Sequence, residues 1–152
     1  MTMLETRKAQ AHLAIRIWKE LLQQVGPDEA GRILRRAIAA DARAAGMAFA
    51  KQTESSPSLE HFATVLTRWQ EDNALAIEKI QLNSTTLSFT VVHCAYAQVY
   101  AEMGVPSELG AILSCSRDEP FAQGYSSKLR MERSRTIVEG SCHCSFQFHW
   151  SA

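Results

Sequence analysis

The sequence predicts an α+β fold in which N-terminal helices pack on an antiparallel sheet built from two hairpins, with short helices between the hairpins. Apolar residues recur at helical spacing from Leu4 to Trp69, and near residue 75 their period changes to two. The regular strand–helix alternation of a doubly wound sheet is absent from the sequence, which favours an antiparallel sheet. A chain of 152 residues suits one domain. We divide it into a helical lead-in (1–73) and a cysteine-containing α+β core (74–152).

Two amphipathic helices are expected at the N-terminus. The first covers 4–25, the segment Gly26-Pro27-Asp28 ends it, and the second covers about 29–45. A third helix begins after the N-cap residue Ser58 and extends through Trp69. The face of the second helix opposite its apolar stripe carries four arginines: Arg32, Arg35, Arg36 and Arg43. We interpret that face as solvated rather than as an anion site.

Period-two patterning predicts two hairpins. The first has the strands 76–82 and 86–93, and the second has the strands 128–139 and 142–150. Alternation in the second strand of the first hairpin places these residues on one face: Leu87, Phe89, Val91 and His93. In the last strand the corresponding face carries Cys144, Phe146, Phe148 and Trp150.

Short helices are expected between the two hairpins. Helical spacing returns at 94–103, and Gly104 is the expected C-terminal cap. A short helix then begins at Pro106 and runs toward Cys115, and another begins at Asp118. These elements connect the hairpins and place two of the four cysteines at element boundaries.

The charge distribution and the hydropathy exclude several classes of partner. Sixteen basic side chains balance sixteen acidic ones and are spread along the chain, without the basic face or tail typical of a nucleic-acid binder. No segment approaches the roughly 20 apolar residues that a membrane span needs, and the first residues lack the apolar stretch of a secretion signal. We therefore expect a cytoplasmic protein with reduced cysteines, whose partner is neither a nucleic acid nor a membrane.

All cysteines lie in the second half of the chain: Cys94, Cys115, Cys142 and Cys144. If both hairpins form one sheet and the short helices pack across it, Cys94, Cys115 and Cys144 converge. They would then make either a soft-metal site or a nucleophile pocket. Within a strand, Cys142 and Cys144 would lie roughly 7 Å apart on one face, too far for an unstrained disulfide. Their spacing alone is a weak metal signal.

Cys115 precedes Asp118 by three residues, in a segment where two short helices meet. Nearby helix N-termini or Arg117 would lower the pKa of the Cys115 thiol, which favours a thiolate nucleophile or a metal ligand. The alternative is a buried thiol followed by an ordinary N-cap aspartate.

Arg133 and Arg135 share one face of a predicted strand with apolar residues. A charged side chain on an apolar face needs a partner. That partner would be Glu108 or Asp118, or the carboxylate of a small substrate, which an arginine can bind with two hydrogen bonds. In the remaining alternative, both arginines lie in solvent.

Taken together, the motifs between Phe89 and Phe148 resemble the family of L-2-amino-thiazoline-4-carboxylic acid hydrolases. The segments that carry the resemblance are Phe89-Thr90-Val91-Val92-His93-Cys94-Ala95-Tyr96-Ala97, Met103-Gly104-Val105-Pro106-Ser107-Glu108-Leu109-Gly110, Cys115-Ser116-Arg117-Asp118, Arg135-Thr136-Ile137 and Gly140-Ser141-Cys142-His143-Cys144-Ser145-Phe146. Residues 1–82 resemble the family only as a helical lead-in. The chain departs from the family pattern at Ser145, where the family commonly has Asp, and Cys142 is an additional cysteine.

The resemblance implies a hydrolase that opens a small cyclic amidine, such as L-2-amino-thiazoline-4-carboxylate, to a carbamoyl-cysteine product. Cys115 would be the nucleophile or would hold a metal-bound water, and Asp118 would bind the amidinium or act as a base. Cys94 and Cys144 would complete the catalytic pocket. The implied substrate-binding residues are Arg135, which would bind the carboxylate, with Glu108 and Tyr96.

The sequence requires no cofactor, although its cysteines are compatible with a divalent metal such as zinc. The expected partner is a small-molecule substrate, and a homo-oligomer is compatible with the sequence. The cysteine pattern also resembles the 4-vinyl-reductase-type small-molecule-binding domains, which sense ligands and hold a structural metal. Under that alternative the cysteines are ligands, the helices form a dimer surface and no turnover occurs. A third alternative is an inactive family member that serves as an interaction partner.

Overall fold

The computed structural model describes residues 1–141 and 143–152. It confirms the predicted α+β class. The helices are α1 (Met3–Ala50), α2 (Leu59–Ala63), α3 (Val65–Trp69), α4 (Ala95–Glu102), α5 (Ser107–Leu113) and α6 (Asp118–Tyr125), and the strands are β1 (Leu75–Leu82), β2 (Thr86–Cys94), β3 (Leu129–Arg133) and β4 (Cys144–Trp150). Cys142, for which the sequence left the role open, lies outside the described residues. Among the described helices, none is both long enough and apolar enough to cross a membrane.

Helix α1 consists of two arms that are separated at Gly26, as the sequence predicts. Thr2 and Glu5 form a capping box at its start, in which each side chain accepts a hydrogen bond from the other residue's backbone N–H. Gly26 has φ +79°, a left-handed conformation that glycine adopts readily, and Pro27 opens the second arm. The second arm extends to Ala50, five residues beyond the predicted end.

The four strands form one antiparallel sheet in the order β1-β2-β4-β3. The two predicted hairpins are therefore joined through the β2–β4 pair, in which Phe89 lies opposite Phe146. Strand β3 ends at Arg133, earlier than predicted. The segment after it closes a local turn, in which the N–H groups of Glu139 and Ser141 both donate to the carbonyl of Thr136. These backbone groups are consequently unavailable for a strand ladder.

A register shift at the end of β2 changes which residues face the protein interior. Ala76 pairs with His93, whereas Ile77 pairs with Val91, so β2 contains one extra residue between these pairs. Beyond Val91, the residues that face the interior are therefore the ones that regular alternation would place on the opposite face of the strand. His93 is exposed, contrary to the sequence prediction that it shares the face of Val91. Cys94 faces the interior instead.

Helices α1 and α6 approach each other closely through two glycines. A Cβ atom on Gly46 would lie 2.1 Å from the backbone oxygen of Phe121, and one on Gly124 would lie 2.2 Å from the backbone oxygen of Arg43. Neither position can accept a side chain without a shift of the backbone. This contact fixes α6, and with it Asp118 at its first turn, against the second arm of α1.

Two apolar clusters make up the interior. The cluster on the sheet is rich in aromatic residues, which include Phe49, Phe62, Phe89, Phe146 and Phe148. The cluster between the helices is rich in small residues and tyrosines, which include Ala11, Ala14, Ala30, Tyr96 and Tyr100. Residues from both clusters border the cavity described next.

Candidate functional site

A cavity of about 140 Å³ lies between the inner face of the sheet and the helices α1, α4 and α6. The thiols of Cys94, Cys115 and Cys144 all line it, as the sequence predicts for a single sheet crossed by short helices. Its other polar lining residues are Arg7, Tyr96, Ser114, Arg117, Asp118, Arg133 and Thr136. The remaining walls are largely apolar, so charged groups inside the cavity are partly shielded from water.

Cys94 enters the cavity because of the register shift in β2. It is also the N-cap residue of α4, where the backbone N–H groups of Tyr96 and Ala97 lie near its sulfur. Burial raises the pKa of the Cys94 thiol, and these two N–H groups partly offset the effect. Tyr96 lines the same cavity.

Cys115 lies in a short 3-10 turn between α5 and α6. Burial and the nearby Asp118 carboxylate raise the pKa of its thiol to about 12, while Thr136 and Arg133 act in the opposite direction. The sequence suggested that helix N-termini or Arg117 would lower this pKa. The structure reverses the direction because loss of water contact is the largest effect. In the ligand-free cavity, the Cys115 thiol is therefore neutral near pH 7.

Asp118 and Arg133 form an ion pair at the wall of the cavity. The Nη1 atom of Arg133 donates to Asp118 Oδ2 at 2.6 Å and to the carbonyl oxygen of Cys115 at 2.7 Å. The Arg133 guanidinium also lies 5.5 Å from the ring centre of Phe146, within cation–π distance. Of the partners that the sequence offered for Arg133, which were Glu108, Asp118 and a substrate carboxylate, the structure places Asp118 beside it. Arg133 thus fixes the position of the Cys115 backbone relative to the Asp118 carboxylate.

Asp118 can exchange a proton near neutral pH. Burial raises its pKa to about 6, although Arg133 and Arg117 favour the ionised form. A carboxyl group with such a pKa is suited to general acid–base catalysis, since both protonation states are accessible near pH 6.

Cys144 begins β4 and is 7% exposed. The backbone N–H of Ile137 donates to its sulfur at 3.1 Å, which ties the turn after β3 to the last strand. Burial raises the pKa of the Cys144 thiol. Ser145, the position at which the chain departs from the family pattern, alternates with Cys144 and Phe146 and does not line this cavity.

Two of the predicted substrate-binding residues do not line the cavity. Arg135 follows the end of β3 and is exposed. Glu108 is also exposed, and its carboxylate lies 3.8 Å from the guanidinium of Arg35. Their expected roles stay predictions that the positions of these side chains do not support.

Sequence reasoning assigned no role to Arg7 and only an indirect one to Arg117. Arg7 lines the cavity from the first turns of α1, a helix to which the sequence assigned no role in the site. Arg117 was considered only for its effect on Cys115, yet it is 8% exposed, lines the cavity and forms an ion pair with Asp41 at 2.6 Å. Their positions depend on how α1 packs against α4 and α6, for which the sequence carries no local signal.

The cavity thiols do not belong to a metal-binding cluster among the described residues. Although three thiols share the cavity, the described part of the chain contains no group of three or more His, Cys, Asp or Glu side chains arranged to hold a metal ion. Tetrahedral zinc sites usually require three or four such ligands.

The fold is similar to that of a solved ligand-binding domain. The crystal structure of the phenol-responsive sensory domain of the transcription activator PoxR with phenol matches with a TM-score of 0.56 and 13% sequence identity. The match covers 95% of this chain and 74% of that one. At this identity the likeness shows the fold alone.

A family comparison is more specific. No curated protein matches the chain significantly. The family model described as L-2-amino-thiazoline-4-carboxylic acid hydrolase, however, matches residues 6–148. The match therefore includes Arg7 and all the cavity-lining residues that follow it. The chain belongs to the L-2-amino-thiazoline-4-carboxylic acid hydrolase family.

Proposed function

We propose that the cavity hydrolyses a small cyclic amidine, such as L-2-amino-thiazoline-4-carboxylate, to a carbamoyl-cysteine product. The observation that carries the proposal is the arrangement of Cys115, Asp118 and Arg133 on one cavity wall. It combines a thiol with a carboxyl group whose pKa is about 6. The family to which the chain belongs supports the same substrate class.

In this proposal, Asp118 binds the protonated amidine of the substrate and accepts a proton. Among the described residues, Arg133 donates to Oδ2 and no group donates to the second carboxylate oxygen, Oδ1. Oδ1 is therefore the oxygen that accepts a charge-assisted hydrogen bond from the amidinium. Asp118 is thus the orienting group and the general base.

Cys115 is the proposed nucleophile, and the substrate itself makes its thiolate accessible. A cationic amidinium bound beside the thiol opposes the effect of burial and lowers the pKa of Cys115. The Cys115 proton passes to Asp118, and the thiolate attacks the amidine carbon. The ring C–S bond at this carbon then breaks, the proton passes from Asp118 to the departing sulfur, and the amidine carbon stays bonded to Cys115 as an isothiourea. A water molecule then attacks the same carbon, releases the Cys115 thiol and leaves its oxygen as the carbonyl oxygen of the product.

The other cavity residues hold this arrangement in place. Arg133 is a positioning residue, because it fixes both the Cys115 backbone and the Asp118 side chain. Cys94, Cys144 and Tyr96 border the substrate and complete the pocket. The donor set among the described residues does not fit a zinc site, so no step of the proposal runs through a metal.

The test is to incubate the purified protein with L-2-amino-thiazoline-4-carboxylate and to follow carbamoyl-cysteine by mass spectrometry. We expect product from the parent, and a loss of at least a hundredfold in kcat for Cys115→Ala and Cys115→Ser. Circular dichroism and thermal unfolding show whether each variant is folded. Unchanged turnover by folded Cys115→Ala would remove Cys115 from the mechanism.

A small-molecule-binding module without turnover is the second candidate. The likeness of the fold to a phenol-responsive sensory domain favours it, as does the largely apolar cavity wall. In that case the same incubation yields no product, while the parent still binds small ring compounds in calorimetry. One zinc ion per chain in the purified protein, together with an absence of hydrolysis, would favour this candidate further.

A further inference from the structure

At the α1 side of the cavity, Arg7 is a guanidinium without an acidic partner. Its Nη1 atom donates to the side-chain oxygen of Gln10 at 2.8 Å. Within the described residues, no carboxylate lies within ion-pair distance of Arg7, and the neighbouring Asp41 is paired with Arg117. A partly buried charge without a counter-charge is costly. An anion from outside the chain is therefore expected to bind at Arg7 and to supply the missing counter-charge.

The Tyr100 hydroxyl is a second unsatisfied group in the same region. Tyr100 is 3% exposed, and within the described chain its hydroxyl has no hydrogen-bond partner. Arg7, Tyr96 and Cys115 are among the groups that act electrostatically on it. Burial raises the pKa of Tyr100 to about 12, so the group remains an O–H donor at neutral pH. A buried donor without an acceptor again calls for a ligand.

The two unsatisfied groups border the same second cavity. Arg7 and Arg117 line the catalytic cavity and also a second cavity of about 240 Å³, which Tyr100 lines as well. The two guanidiniums are close enough for Arg117 to lower the pKa of Arg7, after burial as the larger cause. Arg117 is already paired with Asp41 in this second cavity, so the available donors are the Arg7 guanidinium and the Tyr100 hydroxyl, with Arg117 as a flanking cation, an arrangement that suits a carboxylate.

We propose that Arg7, Arg117 and Tyr100 form the subsite for the carboxylate of the substrate, and this assignment rests on the proposed function. The subsite adjoins the cavity that Asp118 lines, because Arg7 and Arg117 border both spaces, and the proposal places the amidinium of a zwitterionic ring at Asp118 and its carboxylate at Arg7. It assigns to Arg7 the role that the sequence suggested for Arg135. The first turns of α1 are then part of the substrate site, and Arg7 determines selectivity for acids over the corresponding neutral rings.

Binding of non-hydrolysable probes tests the subsite independently of turnover. Isothermal titration calorimetry compares thiazolidine-4-carboxylate with thiazolidine, two rings that lack the amidine. We expect the parent to prefer the carboxylate, and Arg7→Gln to weaken its binding by about tenfold to a hundredfold, the range for loss of one charge-assisted hydrogen bond. Binding of thiazolidine should be unchanged in Arg7→Gln. Arg7→Lys should recover part of the lost affinity because it restores the charge.

Arg16→Gln is the matched control, since Arg16 is an exposed arginine on the same helix, and its probe affinities should equal those of the parent. The proposal is overturned if Arg7→Gln binds thiazolidine-4-carboxylate as tightly as the parent, or if the parent does not prefer the carboxylate. A folded parent that binds the carboxylate through Arg7 but yields no product contradicts the proposed hydrolysis and leaves the subsite standing. Turnover that is insensitive to Arg7→Gln contradicts the subsite and leaves the hydrolysis standing.

Discussion

The two ends of the cavity, one at β3 and the other at α1, differ in the partners that the chain provides for their arginines. At one end, Arg133 has an acidic partner, a carbonyl acceptor and an aromatic face, all supplied by the chain. At the other end, Arg7 has only the amide oxygen of Gln10, and the nearby Tyr100 hydroxyl has no partner within the described residues. The polar groups at the first end hold each other in place. Those at the second end gain their partners only when an anion binds.

Because of this difference, mutations at the two ends are expected to differ in their effects on stability and on ligand binding. Removal of one member of a satisfied network leaves buried partners behind, and stability falls. Removal of an unsatisfied group costs little stability or even raises it, while ligand binding suffers. Stability and binding measurements should therefore respond in opposite ways at the two ends.

The largest effect is expected from Asp118→Asn. Loss of the general base should lower kcat/KM for L-2-amino-thiazoline-4-carboxylate by about 10²–10⁴-fold. In the parent, kcat/KM should rise with pH through about 6 and then level off, because the pKa of Asp118 is about 6 and only its ionised form accepts a proton. Initial rates between pH 4.5 and 8 measure this dependence, which the variant should lack.

Glu119→Gln is the matched control for Asp118, since Glu119 is exposed in the same first turn of α6. Its rates and pH profile should follow the parent. A parent profile that is flat between pH 5 and 7 would argue against Asp118 as the base.

The next largest effect is expected from Gly46→Ala, which changes the packing of α1 against α6 and so acts on the end of the cavity that holds Asp118 and Arg133. The new Cβ would overlap the backbone oxygen of Phe121 and displace α6, which carries Asp118. We expect a loss of about 2–3 kcal/mol in the free energy of unfolding, measured by urea denaturation. Ala48→Ser, at an exposed position on the same arm, should change it by less than about 0.5 kcal/mol. Equal stability of both variants would show that α6 adjusts freely.

Replacement of each arginine by methionine compares the two ends directly. Arg133→Met leaves the Asp118 carboxylate and the Cys115 carbonyl without their donor, and should cost about 2 kcal/mol in urea denaturation. Arg7→Met removes a charge that lacks a counter-charge, and should change stability by less than about 0.5 kcal/mol. Equal losses for the two variants would mean that Arg7 is as well satisfied by the chain as Arg133.

A gain in stability, smaller in size than the loss expected for Arg133→Met, is expected from Tyr100→Phe. This change deletes a buried hydroxyl that has no partner among the described residues, and should raise the free energy of unfolding by about 1 kcal/mol. The same variant should bind thiazolidine-4-carboxylate more weakly than the parent. A loss of stability would indicate that the hydroxyl already has an acceptor in the unliganded protein.

Much of the fold could be predicted from local patterns. The break in α1 follows from Gly26-Pro27, and both hairpins follow from period-two patterning. The convergence of Cys94, Cys115 and Cys144 then required only that the hairpins join into one sheet.

The details that the sequence predicted wrongly or missed depend on contacts between secondary-structure elements. The inward orientation of Cys94 results from a register shift against β1, which alternation within β2 alone cannot reveal. Whether Arg133 or Arg135 faces the cavity depends on where β3 ends, and that is decided by the turn around Thr136. The position of Arg7 depends on the packing of α1 against elements about 90 residues later in the sequence.

The most direct test of the central claim is hydrolysis in water enriched in ¹⁸O. The parent is incubated with L-2-amino-thiazoline-4-carboxylate, and the product is analysed by mass spectrometry beside Cys115→Ala and Asp118→Asn. The account predicts carbamoyl-cysteine that carries one ¹⁸O atom in its carbamoyl group from the parent, and product reduced at least a hundredfold for either folded variant. The absence of product from folded parent protein, or undiminished product from the variants, would contradict it.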